Sequence, residues 1–174
     1  MVGAMDVRSE WGSRARDRAM ADPDGLTGPH QPIRRILLAI DSPAHSTEAI
    51  RFASELARST GAEVVVLHVR EWILGPKGPF DEGEKVAARI IGEVARRLKA
   101  DGVDTTVEIR SGYFGHTPRQ IVNAARARGA DLIVMGMSGA SDHRGILLGS
   151  VTDKVLQLAD VPVLVARSHP ADMR

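Results

Sequence analysis

The residues best spaced to do chemistry are Gly136, Gly139, Gly149 and Ser150: two glycines three apart, nine intervening residues, then a Gly-Ser pair. The run Asp131-Leu132-Ile133-Val134-Met135 leads into them, and a stretch of helical character from Val151 to Asp160 leads out. A strand, a glycine-rich loop and a helix N-terminus together hold an anion with backbone N–H groups and the helix dipole. Glycines in such a loop can also answer a need for positive φ or tight packing. Continuation of the spacing to Gly149-Ser150 at a helix start favours phosphate. Ser150 can donate to a phosphate or cap the helix, and the N–H groups of Ser150, Val151 and Thr152 stay available either way.

The loop is not a Walker loop, since no Gly-x-x-x-x-Gly-Lys-Ser/Thr occurs and no lysine lies between Gly136 and Gly149. Nor does a Gly-x-Gly-x-x-Gly follow the first strand. Arg144 supplies the fixed positive charge, with His143 adding to it when protonated. Cradling by backbone dipoles is therefore expected, rather than a cationic clamp. Asp41 closes the first apolar run and has two compatible uses. It can cap the turn Asp41-Ser42-Pro43, or it can meet a ribose hydroxyl or a magnesium ion carried on phosphates.

Catalytic sets are harder to assemble. The six histidines show no His-x-x-x-His or His-Glu-x-x-His spacing, and His68 reads as a hydrogen-bonded core residue of a buried strand. There is no Gly-x-Ser-x-Gly elbow, and the lack of cysteine removes thiolate nucleophiles, thiolate metal sites and disulfides.

The elements that must position these residues alternate strand and helix from Ile33 onward. Ile36-Leu37-Leu38-Ala39-Ile40 predicts a buried first strand. Ser46 is the expected cap of a helix whose face carries Ile50, Ala53, Leu56 and Ala57, closed by Gly61. Val64 to Val69 predicts the second strand, and Gly75-Pro76-Lys77-Gly78-Pro79 a loop. A helix from Glu84 to about Ala100 should bury Val86, Ile90, Val94 and Leu98. Val103 to Arg110 alternates with period two, so the third strand should have one exposed face and lie at a sheet edge.

Thr117-Pro118 predicts a cap followed by proline at the first helical position, with Ile121, Val122 and Ala125 as packing face and Gly129 as stop. Leu132 to Met135 is the fourth strand, Ser150 to Leu158 the last helix, and Pro162 to Ala166 the fifth strand. Helical crossovers between five strands imply an α/β fold: one domain with a parallel, doubly wound sheet. With strand order 3-2-1-4-5, Asp41 and Gly136 end neighbouring strands at the switch point, where ligands bind in this architecture.

Composition narrows the partners. Aromatics are only 3% of residues and net charge is +1 with dispersed Lys and Arg, so neither nucleic acid nor a membrane is an expected partner. No stretch approaches the ~20 apolar residues of a membrane span, and the absence of cysteine fits a cytoplasmic setting. Residues 1–32 lack the apolar core of a signal peptide and read as a disordered extension, with a short amphipathic segment around Trp11 as the alternative. The domain is expected over 33–168, with a tail at 169–174.

These residues resemble the universal stress protein family. Gly136-x2-Gly139-x9-Gly149-Ser150 looks like the signature of its ATP-binding branch. Ile40-Asp41, Leu67-His68-Val69, Leu132-Ile133-Val134-Met135-Gly136 and Pro162-Val163-Leu164-Val165 extend the likeness over Ile33 to Arg167. The resemblance implies an adenine nucleotide alpha hydrolase-like fold and an adenine nucleotide ligand. It places Ala39 near adenosine, Asp41 on the ribose or a phosphate-bound magnesium, and Val69 on adenine through its backbone. Met135, Gly136, Ser138 and Gly139 would pass close to ribose and phosphates, and Arg144, Gly149, Ser150, Val151 and Thr152 would complete the phosphate site.

Many members carry Arg or His at Ser138 and a basic residue at Ala140. The departure moves the expected ligand from ATP toward AMP or cyclic AMP. The family commonly dimerises through the last strand, which implies a homodimer through 162–166 and covers an apolar edge. The reading that results is an ATP-binding, dimeric regulatory module of the stress response. Slow hydrolysis is open to it, but no base for the attacking water is identifiable. The alternatives are a nucleotide-independent, chaperone-like interaction dimer and a sensor of AMP or cyclic AMP. An adenylating enzyme would need a Ser-Gly-Gly pyrophosphate loop that is absent. A flavodoxin-like carrier would have only Tyr113 and Phe114 as rings.

Overall fold

The computed structural model of the protein describes residues 32–76, 78–81, 83–137 and 148–167. The chain divides into two units, 1–32 and 33–174, and the fold described here belongs to the second. The expected disorder of the extension, the tail 169–174, and the loop residues Ser138, Gly139 and Arg144 lie outside the described residues.

In chain order the elements are β1 (Arg35–Ile40), α1 (Thr47–Thr60), β2 (Glu63–Gly75), β3 (Gly78–Asp81), α2 (Glu84–Ala100), β4 (Thr105–Tyr113), α3 (Thr117–Arg128), β5 (Leu132–Gly136), α4 (Ser150–Leu158) and β6 (Val163–Ala166). β1 pairs in parallel with β2 on one side and β5 on the other. β4 pairs in parallel with β2, and β6 with β5. The parallel order β4-β2-β1-β5-β6 is the predicted 3-2-1-4-5, and β4 lies at the expected edge.

The continuous apolar run of β1 has a direct cause: both faces of the strand are covered. Ile36, Leu38 and Ile40 pack with Val64 and Val66 against Ile50, Ala53, Val94 and Leu98 of α1 and α2. Leu37 and Ala39 pack with Val65, Leu67, Ile133 and Met135 against Ile121, Ala125 and Val155 of α3 and α4. Each fully buried side chain of this kind contributes about 1.5–3 kcal/mol. Because α1 leaves β1 on one face and α4 leaves β5 on the other, the neighbouring strands β1 and β5 part company at their C-terminal ends. That crevice is the switch point. Gly61 (φ 73°) and Gly129 (φ 60°) end α1 and α3 in the left-handed conformation expected of them.

Four local expectations need correction. The segment 75–79 is not a loop throughout. β2 runs on to Gly75 and turns back as β3, with Leu74 opposite Pro79 and Gly75 opposite Gly78. Proline is tolerated there because the outer side of an edge strand needs no ladder N–H. In α2 the buried face is Ala87, Ile91, Val94, Ala95 and Leu98, while Val86 is exposed. Residues spaced strictly by four drift around a helix of 3.6 residues per turn, so Val86 rotates out. In β4, Val107 is exposed although Thr105 on the same face is buried and Ile109 packs on the core. Finally, α3 begins at Thr117 with no side-chain cap, and the Thr117 hydroxyl donates to Glu71 instead.

Candidate functional site

A cavity of about 360 Å³ opens at the switch point, within the size of small-molecule sites. β1 supplies Ala39, Ile40 and Asp41, β2 supplies Leu67, His68, Val69 and Glu71, and β5 supplies Met135 and Gly136. The first turn of α4 closes one side with Gly149, Ser150, Val151 and Thr152, while Thr117 and Ile121 of α3 and Ser46 before α1 complete the wall. Nine of the positions expected from sequence thus border one space: Ala39, Asp41, Val69, Met135, Gly136, Gly149, Ser150, Val151 and Thr152.

The start of α4 is built to leave donors free. Gly149 donates its N–H to the Met137 carbonyl at 2.9 Å and takes an extended backbone (φ −62°, ψ 148°). The first helical bond runs from Asp153 N–H to the Gly149 carbonyl at 2.9 Å, so the N–H groups of Ser150, Val151 and Thr152 have no carbonyl within the helix. Among the described residues no side chain caps them. The Thr152 hydroxyl, itself buried, donates to the Gly136 carbonyl at 3.0 Å and fastens this turn to the end of β5. Ser150 remains exposed, and its hydroxyl does not cap the helix.

On the other side of β1, His68 is buried and lies 3.0 Å through Nδ1 from the Ile40 carbonyl. A carbonyl only accepts, so Nδ1 carries the proton. His68 is the hydrogen-bonded core residue expected, and it also forms cavity wall. The turn after Asp41 is closed by Ser42, whose carbonyl accepts from Ser46 N–H at 3.1 Å and whose hydroxyl meets His45 Nδ1 at 2.9 Å.

Ile40, Ser46, Leu67, His68, Glu71, Thr117 and Ile121 line the cavity without having been among the site positions expected from sequence. The signal for Glu71 was present: Leu67, Val69 and Glu71 alternate along β2 and so share a face. Among the described residues lining the cavity there is no lysine or arginine, and the two carboxylates are Asp41 and Glu71. Among the described residues no group of three or more His, Asp or Glu is placed to hold a metal ion.

The profile of the Universal stress protein family matches residues 32–167. The chain is 44% identical over 153 residues to a universal stress protein of Methanocaldococcus jannaschii, covering 77% of this chain and 94% of that protein. It is similar to the structure of the universal stress protein from Archaeoglobus fulgidus in complex with dAMP, with a TM-score of 0.61 and 25% identity over 78% of this chain and 99% of that one. A universal stress protein in complex with cAMP is similar with a TM-score of 0.58 and 25% identity, over 79% and 98% of the two chains. This chain belongs to the universal stress protein family.

Proposed function

We propose that the switch-point cavity binds an adenine nucleotide and that the protein works as a dimeric, nucleotide-responsive module of the stress response in the cytoplasm. The observation that carries this reading is the first turn of α4: three backbone N–H groups without helical partners border a nucleoside-sized cavity. Such a turn takes phosphate oxygens without a lysine. Binding of dAMP and cAMP by similar proteins supports the adenine class.

In this reading Val69 and Ile121 flank the base, Asp41 takes a ribose hydroxyl, and the Gly149–Thr152 turn takes the phosphates. Magnesium, if used, comes with the nucleotide and meets Asp41. ATP is the ligand we put first. The reading of an AMP or cyclic AMP sensor rests on a specific observation, namely that the described cavity lining has no cation to offset a triphosphate. Nucleotide binding would shift a conformational or assembly equilibrium by its differential affinity for the two states.

The assembly proposed is a homodimer through 162–166. Among the described residues β6 pairs only with β5, and its Val163, Leu164 and Val165 are half-buried. A second copy would cover that edge. A monomer by sedimentation at micromolar concentration would remove the dimer from the reading.

Thermal shift with ATP, AMP, dAMP and cyclic AMP, joined to mass spectrometry of whatever the denatured protein releases, tests the ligand. Stabilisation by at least one nucleotide is expected, about 2.7 kcal/mol at a hundredfold excess over Kd. No shift with any of them would return the protein to a nucleotide-independent interaction dimer.

A further inference from the structure

At the end of the cavity away from α4 lies an arrangement that phosphate binding does not explain. Glu71 of β2 accepts through Oε1 from the Thr117 hydroxyl at 2.6 Å and from Gly115 N–H at 3.2 Å. Among the described residues, Oε2 of the same carboxylate accepts no hydrogen bond. Both Glu71 and Thr117 border the cavity. A carboxylate cannot donate, so the Thr117 proton points at Glu71 and its oxygen keeps only lone pairs for anything else. Among the described residues, the Glu71–Thr117 pair therefore offers this end of the cavity acceptors and no side-chain donor.

Its position is also informative. β2 and β5 flank β1, so Glu71 and the α4 turn that follows β5 lie on opposite sides of β1. Two strand spacings separate β2 from β5, roughly 10 Å. A nucleotide with its phosphates on α4 would lie across β1 and bring its base to Val69, Ile121 and Glu71.

We propose that Glu71, oriented by Thr117 and Gly115, recognises the exocyclic 6-amino group of the purine and rejects a 6-oxo purine. This rests on the nucleotide reading above and adds the residue that selects the base. Adenine presents a donor at position 6, whereas hypoxanthine and guanine present an acceptor. An acceptor-only end pairs with the first and is left facing a lone pair by the others. A site built around such a hydrogen bond discriminates strongly against analogues that lack it.

Calorimetry on the full chain with ATP, purine riboside triphosphate (hydrogen at C6) and inosine triphosphate (oxygen at C6), and with the matching monophosphates, tests the proposal. The wild-type protein should bind the adenine member of each series about tenfold or more tighter than the other two, as expected for a hydrogen bond to a charged group. In Glu71→Gln the side chain can turn its amide N–H toward an oxygen, so the gap between the adenine and hypoxanthine members should close to within about threefold.

If Glu71 only fastens α3 to β2, Glu71→Gln will weaken all members alike and keep their ratios, which overturns the proposal. Equal affinities in the wild-type protein overturn it without any variant, and leave nucleotide binding standing. Failure of every nucleotide to bind removes both this inference and the reading beneath it.

Discussion

The two ends of the sheet treat polar groups in opposite ways. At the N-terminal ends of the strands, carboxylates meet protein donors. Asp131 accepts from the backbone N–H groups of Arg34 and Arg35 at 2.8 and 2.9 Å. Glu63 accepts from Arg35 Nε and the Thr106 hydroxyl, both at 2.9 Å. The Arg35 guanidinium also reaches the Arg128 carbonyl. At the C-terminal ends, the α4 turn leaves three N–H groups outside the helix ladder, and one oxygen of Glu71 has no partner among the described residues. The lower end is closed on itself and holds strands in register. The upper end keeps hydrogen-bonding capacity in reserve around a cavity. A doubly wound sheet allows this division because the crossovers separate only at the switch point.

The sharpest way to break the contrast is Gly149→Val. Its backbone conformation (φ −62°, ψ 148°) admits any L-residue, so valine adds volume at the mouth of the α4 turn without backbone strain. We expect nucleotide affinity to fall by on the order of a hundredfold, equivalent to about 2.7 kcal/mol, with the fold retained by circular dichroism. Unchanged affinity in calorimetry would mean that phosphates do not rest on this turn.

At the opposite end, Asp131→Ala removes the acceptor for two backbone donors. It should cost about 1–2 kcal/mol of stability and lower Tm by roughly 2–8 °C, while nucleotide affinity stays put. A change in affinity as large as that of Gly149→Val would erase the distinction between the ends.

The smallest effect belongs to Glu63. The hydrogen bond from Arg35 first, and that from Thr106 second, hold its carboxyl below the usual carboxylate range. A depressed value in the folded state contributes stability above the unfolded value of about 4.3, lost as pH falls through the folded value. Glu63→Gln should therefore destabilise by under ~1 kcal/mol at neutral pH, given the partly exposed pair. In acid denaturation profiles the difference from wild type should shrink as pH falls below about 4.3 and vanish once pH lies below the folded value. A difference that persists there would assign the effect to packing.

How much of this was legible in the sequence follows the range of the interactions. The buried strand β1 shows in five consecutive apolar residues, because double-sided burial leaves a local imprint. Gly149-Ser150 shows because a helix start after a glycine-rich loop is a local pattern. The β2–β3 hairpin did not show. Its turn and return strand are written in Gly75-Pro76-Lys77-Gly78-Pro79, residue types that read as loop, whereas the pairing of Trp72 with Tyr113, rings 5.0 Å apart, joins residues too distant in sequence to leave a local periodicity. The face of Glu71 was legible in the alternation of β2, but its partners were not, because they too are distant in sequence. Its partners Gly115 and Thr117 come from the turn after β4 and the first residue of α3, so its role depends on the register between β2 and β4.

If phosphates rest on the first turn of α4, backbone amide resonances report on it directly. In a proton–nitrogen NMR titration with ATP, or with whichever adenine nucleotide gives the largest thermal shift, the amides of Ser150, Val151 and Thr152 should move most and saturate together. The amides of Arg34, Arg35 and Asp131 at the far end should stay in place. Saturable binding that leaves those three α4 amides unmoved would mean that the phosphates rest elsewhere.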